Sequence, residues 1–138
     1  MYLADTSFLN ADLMIRSSCD LSNFSKELEQ RGFMALGDGH QMDDGLWIAE
    51  FELDSASGDE HFLQVIDGVL RCIEGLPELL KKQWNELQDR TLDLGFEAGT
   101  ETRHYTRQIS LSFLERMVAA GLVLAITIYS PVKNDACL

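Results

Sequence analysis

Glu50 and Glu52 stand two residues apart in the stretch GLWIAEFELD, and Asp54 follows at the same interval. In an extended chain such residues share a face, about 6.5–7 Å from one another. These carboxylates are therefore expected to line one side of a strand. That spacing could serve paired acid–base chemistry. A solvated sheet face or a recognition surface explains it more simply, because no sugar-stacking platform or electrophile-binding group accompanies it. His40, His61 and His104 form no H-x-H or H-x-x-x-H pair for a metal. The loop GDGHQMDDG holds Asp38, Asp43 and Asp44 but lacks the alternating oxygen ligands and distal glutamate of an EF-hand, so it reads as a solvated loop. Gly37-Asp38-Gly39 is too short and too acidic to cradle phosphate. There is no G-x-S-x-G elbow, and Cys19 and Cys72 have no histidine near them in sequence; both read as inert thiols. Arg103, His104, Tyr105 and Arg107 form a local basic cluster, read as a loop balancing nearby acids. The chain is accordingly expected to be non-enzymatic, with no catalytic residue, metal or cofactor.

Charge is the stronger clue. Eleven basic against 23 acidic residues give a net charge of −12. Residues 1–60 hold 13 of the acids against three basic residues, Arg16, Lys26 and Arg31. The remaining residues are nearly balanced, with ten acids and eight bases. Localised acidity argues against nucleic acid or an anionic membrane as the direct partner and allows a basic protein as one. No apolar run approaches the roughly 18 residues of a membrane helix, and MYLADTSFLN lacks the basic start of a secretory signal. Three cysteines, Cys19, Cys72 and Cys137, make neither a disulfide framework nor a zinc pattern, as expected of free thiols in a reducing cytoplasm.

The elements that must position these groups follow from hydrophobic period. Phe8 to Arg16 alternates as a strand, Leu9, Ala11, Leu13 and Ile15 against Asn10, Asp12 and Arg16, with Phe8 on the polar side. A helix from Leu21 to Arg31 turns Leu21, Phe24 and Leu28 inward and stops at Gly32. Phe33 to Leu36 is extended. In Gly45–Asp54, Trp47, Ala49, Phe51 and Leu53 face inward and Ile48, Glu50, Glu52 and Asp54 outward. Ser57 and Glu60 form a capping box ahead of the stripe Phe62, Leu63, Ile66, Val69, Leu70 and Ile73. Pro77 opens a further helix with Leu79, Leu80, Trp84 and Leu87 inward. Thr91 to Glu97 alternates Leu92, Leu94 and Phe96 against Asp93 and Glu97. Ser112 and Glu115 form a second capping box, Leu114, Met117 and Val118 share a face, and Gly121 ends that helix. Leu122 to Tyr129 is apolar except for Thr127, which suits a central strand covered on at least one face. Residues 131–138 read as a loose tail beyond an ordered core of about 8–130.

The result is a single α+β domain over 1–138, in the order βαββααβαβ. About five strands should form one mixed or antiparallel sheet of ferredoxin-like character, with helices packed on one side. Leu21-Ser22 to Gly32-Phe33 and Leu111-Ser112 to Gly121-Leu122 hint at two strand–helix–strand halves.

The Gly45-Leu46-Trp47 strand, together with Leu111, Ser112, Gly121 and Ile126 to Tyr129, resembles the bacterial family called domain of unknown function 4279, over about residues 8 to 130. The resemblance implies the fold and no activity. This chain departs from the family at His40-Gln41-Met42-Asp43-Asp44, where basic residues are often found. By class, small acidic cytoplasmic bacterial α+β proteins without catalytic motifs look like immunity proteins of contact-dependent growth inhibition. Such a protein would neutralise a basic toxin domain through acidic residues, here expected at Asp38, Asp43, Asp44, Glu50, Glu52, Asp54, Asp59 and Glu60. The other reading is a small-molecule or peptide-binding regulatory module. Either would be a monomer or homodimer.

Overall fold

Eleven extended residues, Ser7–Ser17, form β1, which hydrogen-bonds a strand on each side. The computed structural model describes residues 5–37, 39–53, 58–101 and 104–131. After β1 come α1 (Ser22–Glu29), β2 (Phe33–Ala35), β3 (His40–Gln41) and β4 (Trp47–Leu53). A short 3-10 turn, Asp59–His61, leads into α2 (Phe62–Glu74), α3 (Glu78–Asn85), β5 (Asp89–Glu97), α4 (Leu111–Ala119) and β6 (Val123–Tyr129).

The strands form one open mixed sheet in the order β2-β4-β1-β5-β6, with β3 also pairing β4. β1 and β2 straddle β4 through α1; β4 and β5 straddle β1 through α2 and α3. These interlocked split units are the ferredoxin-like arrangement expected from the element order. The β5-α4-β6 unit adds a parallel strand at one edge. The two halves suggested by sequence spacing therefore differ in topology: β1 and β2 are separated by β4, whereas β5 and β6 bond directly. The sheet has six strands instead of about five. The extra one, β3, lies within the loop GDGHQMDDG and continues along the same edge of β4 that β2 lines.

Alternation gives the sheet one apolar face. Leu13, Ile15, Phe51, Leu92 and Leu94 point to a core completed by Phe24 and Leu28 of α1, by the Phe62–Ile73 stripe of α2, and by Leu80 and Trp84 of α3. Arg90 locks the helix ends onto this layer. Its guanidinium donates to the carbonyls of Trp84 (2.9 Å), Leu87 (3.1 Å) and Gly121 (3.1 Å), where the C-terminal ends of α3 and α4 carry partial negative charge. Gly121 has φ +69, and a Cβ there would lie 2.9 Å from that guanidinium. The indole Nε1–H of buried Trp84 donates to the Ala120 carbonyl at 2.8 Å. Among the described residues, no helix is long and apolar enough to cross a membrane.

Several expectations are corrected. Phe8 is 1% exposed, because the β1–β5 register shifts between Phe8 and Asn10. That irregularity reverses the alternation and turns the ring into the core, edge-on to Phe62 and Phe96. Ser110, not Ser112, caps α4, its hydroxyl accepting from the Phe113 amide. On α4 only Met117 of the expected inward face is buried, while Leu114 and Val118 face out. Leu63 and Leu79 are exposed, and Val65 takes the inward place in α2. β6 is an edge strand, not a central one, and Ile126 (62% exposed) and Ile128 (68%) remain uncovered. Continuous apolar composition is needed by a strand buried on both faces, but it does not say what does the burying. The Ser57 cap and residues 132–138 lie outside the described residues.

Candidate functional site

Opposite the core, the sheet presents the other half of each alternation. On β1 these are Asn10, Asp12, Met14 and Arg16. Strand register places Glu52 of β4 and Asp93 of β5 directly across from Asp12, one on each side. Glu50 pairs with Met14, one step along. Three carboxylates thus form a row across three adjacent strands with a fourth beside it. Like charges set directly opposite in a sheet repel.

The consequence falls on Asp12. Partial burial, then the charges of Glu52, Asp93 and Glu50, push its pKa up from 3.8 to about 6. Its Oδ1 is buried without a hydrogen-bond partner. Asp93 is better served, since the Thr127 hydroxyl of β6 lies 2.8 Å from both carboxylate oxygens. Further along the same face, Arg16 lies 3.9 Å from Asp89.

The acids expected to form one surface divide among three places. Glu50 and Glu52 lie in the carboxylate row, Glu50 exposed and Glu52 partly buried. Asp43 and Asp44 sit in the turn between β3 and β4, where Asp44 accepts the Leu46 amide at 3.0 Å and so closes the turn. Asp59 and Glu60 sit in the turn before α2. Asp59 is a structural anchor: it accepts the Phe8 amide at 3.0 Å and the Tyr105 hydroxyl, and lies 3.5 Å from Arg107. Those hydrogen bonds hold its pKa below the ordinary value, while burial and the same carboxylate push Tyr105 up to about 12. Glu60 lies 3.3 Å from His61. Asp38 and Asp54 lie outside the described residues. Asp12 and Asp93 were absent from the expected surface; the alternation that put both on polar faces was readable, but only strand pairing brings them together.

A cavity of about 470 Å³ opens at the far end of β5 and β6. Phe96, Ile126 and Ile128 supply its apolar wall, with His104, Tyr105 and Arg107 at its polar side.

No family model, curated protein or solved structure matches this chain.

Among the described residues, no group of three or more histidine, cysteine, aspartate or glutamate side chains could hold a metal ion. The carboxylates of the row come from three adjacent strands. Cys72, half-buried in α2, donates its thiol toward the Arg31 carbonyl at 3.2 Å, and burial raises its pKa away from the reactive thiolate.

Proposed function

We propose that the protein is a non-catalytic binding protein that docks a basic protein partner on the open sheet face around Asp12. In its most concrete form it is an immunity protein that neutralises a cognate antibacterial toxin domain in the cytoplasm. The observation that carries the reading is the Glu52–Asp12–Asp93 row of carboxylates across three adjacent strands. A lysine or arginine laid on this row would relieve the repulsion among its carboxylates. Charge-assisted hydrogen bonds of this kind are stronger than neutral ones. The −12 net charge would speed capture of a cationic partner, while a few desolvated contacts would set its affinity. The resemblance to domain of unknown function 4279 is compatible with this reading and assigns no activity.

The 470 Å³ cavity favours a second reading, a module that binds a small molecule or peptide. Its apolar wall and three polar groups suit an amphipathic ligand, although Tyr105 and Arg107 are already engaged by Asp59.

Purification of the tagged protein from its native host decides between them. The wild type should bring down one basic protein in stoichiometric amount. A variant carrying Asp12→Asn, Glu50→Gln and Glu52→Gln should recover at least about tenfold less of it. Glu78→Gln, an exposed acid on α3, should recover it in full. A partner held equally by the triple variant would refute the sheet face as its site. A bound small molecule lost on Ile126→Trp, with no protein partner, would establish the second reading.

A further inference from the structure

The edge formed by β6 lacks the devices that normally protect a terminal strand. The sequence VLAITIY contains no charge, proline or glycine, and among the described residues β6 hydrogen-bonds a neighbour on one side only. Val123, Ile126, Ile128 and Tyr129 are each at least half exposed. Register with β5 sorts them by face. Leu124, Ile126 and Ile128 lie on the helix side with Leu92, Leu94 and Phe96, and Val123, Ala125, Thr127 and Tyr129 lie on the open side.

A second apolar surface adjoins this edge. Leu111, Leu114 and Val118 recur at helical spacing on one side of α4, and all three are exposed, Val118 at 78%. Arg116 occupies the opposite side of the helix, where it grips Glu74 at 2.8 Å through two nitrogens and Asp67 at 2.9 Å. Those acids belong to α2, which packs over β1 and β4. Because the sheet runs β4-β1-β5-β6, the side of α4 turned away from α2 is the side toward the β6 edge. The stripe and the strand form one border.

We propose that this border is a homodimer interface, in which β6 of two copies pair antiparallel about a two-fold axis and the α4 stripes meet above them. The strand is complementary to itself. With the axis at Ile126, that residue meets its own copy, Leu124 meets Ile128, Val123 meets Tyr129, and Ala125 meets Thr127. Every pair on the helix side is then apolar, and the strand's outward backbone groups find partners. The self-complementary register favours a second copy as the occupant of this edge. Two chains of −12 repel over most of their surfaces, and an uncharged strand at the border farthest from the Glu50–Glu52 strand is where they can meet. The area is also adequate. Eight exposed apolar side chains at roughly 60–120 Å² each when fully buried give several hundred Å² per copy. A standard interface needs roughly 800 Å² per partner, a little over half of it apolar. The pairing keeps both carboxylate rows on one side of a continuous sheet, so a dimer would present two of them. It would also close the cavity walled by Ile126 and Ile128.

Sedimentation equilibrium on the full chain tests this. The wild type should sediment at twice the 15.5 kDa chain mass at micromolar concentration. Ile126→Lys with Ile128→Lys should raise the dissociation constant by at least about 100-fold. Both positions are exposed within one chain, so circular dichroism should show an intact fold. Glu29→Gln, an exposed position on α1 beside β2 at the other end of the sheet, should leave the dimer unchanged. Hydrogen exchange gives a readout without mutation: β6 amides should become more protected as protein concentration rises. A monomeric wild type, a dimer that survives both lysines, or β6 exchange independent of concentration would each overturn the proposal.

Discussion

Asp12 shows how a single side chain can report on a surface. Its own strand places it on the open face, but its neighbours come from β4 and β5, so its raised pKa is a product of pairing. The folded protein holds a proton on Asp12 up to about pH 6, whereas an unfolded aspartate releases it near 3.8. Between those values the folded state binds more protons, so stability falls as pH rises through the window. The destabilisation is fully developed above pH 6 and absent well below 3.8. Asp12→Asn should therefore stabilise the free protein at pH 7.5 by roughly 1–2 kcal/mol, allowing for screening of a group this accessible. The gain should shrink clearly by pH 5. Urea unfolding at the two pH values measures it, and a gain of the same size at both would show that the repulsion is not the cause. The same substitution should weaken partner capture, which is the expected sign when a surface is kept for binding at a cost in stability.

At the scale of elements, Trp84 ties three pieces together. Its ring fills the core from α3, its Nε1 holds the last carbonyl of α4, and its own carbonyl is held by Arg90 of β5. Trp84→Phe should cost about 2–3 kcal/mol by leaving a gap and an unpaired buried carbonyl. Chemical denaturation followed by the fluorescence of Trp47 would measure it; a loss below about 0.5 kcal/mol would mean that water replaces the indole. Elements whose alternation or helical stripe has an acidic counterface were legible in sequence: β1, β4, β5 and α2 stand where period placed them. Ambiguity entered where composition was uniform. Leu122 to Tyr129 could be recognised as a strand, but nothing in eight nearly uniform apolar residues distinguishes a sheet centre from an uncovered edge. The inward side of α4 was misjudged because Leu114 and Val118 are as apolar as Met117, and the deciding contact is Arg116 with Asp67 and Glu74. Phe8 was misplaced by a one-residue irregularity that carries no sequence signature. The acidic site was half legible: Glu50 and Glu52 follow from period two, while Asp12 and Asp93 join them only through strand order.

Across the whole molecule, the two surfaces lie at different parts of one sheet and differ in chemistry. The β1–β4 face is acidic and open, and the β6 border is uncharged, so salt should act on them in opposite directions. The Debye length shortens from roughly 20 Å near 0.02 M salt to under 10 Å near 0.3 M. Over that range, steering of a basic partner toward a −12 protein should fade, and its association rate should fall by about tenfold or more. Dimerisation should hold or tighten, because screening relieves repulsion between two like-charged copies while their contact is apolar. Sedimentation equilibrium over a sodium chloride series gives the second quantity directly, and stopped-flow binding with the captured partner gives the first. A dimer that dissociates as salt rises would be held by ion pairs, which β6 cannot supply. An association rate indifferent to salt would mean that the carboxylate row plays no part in capture.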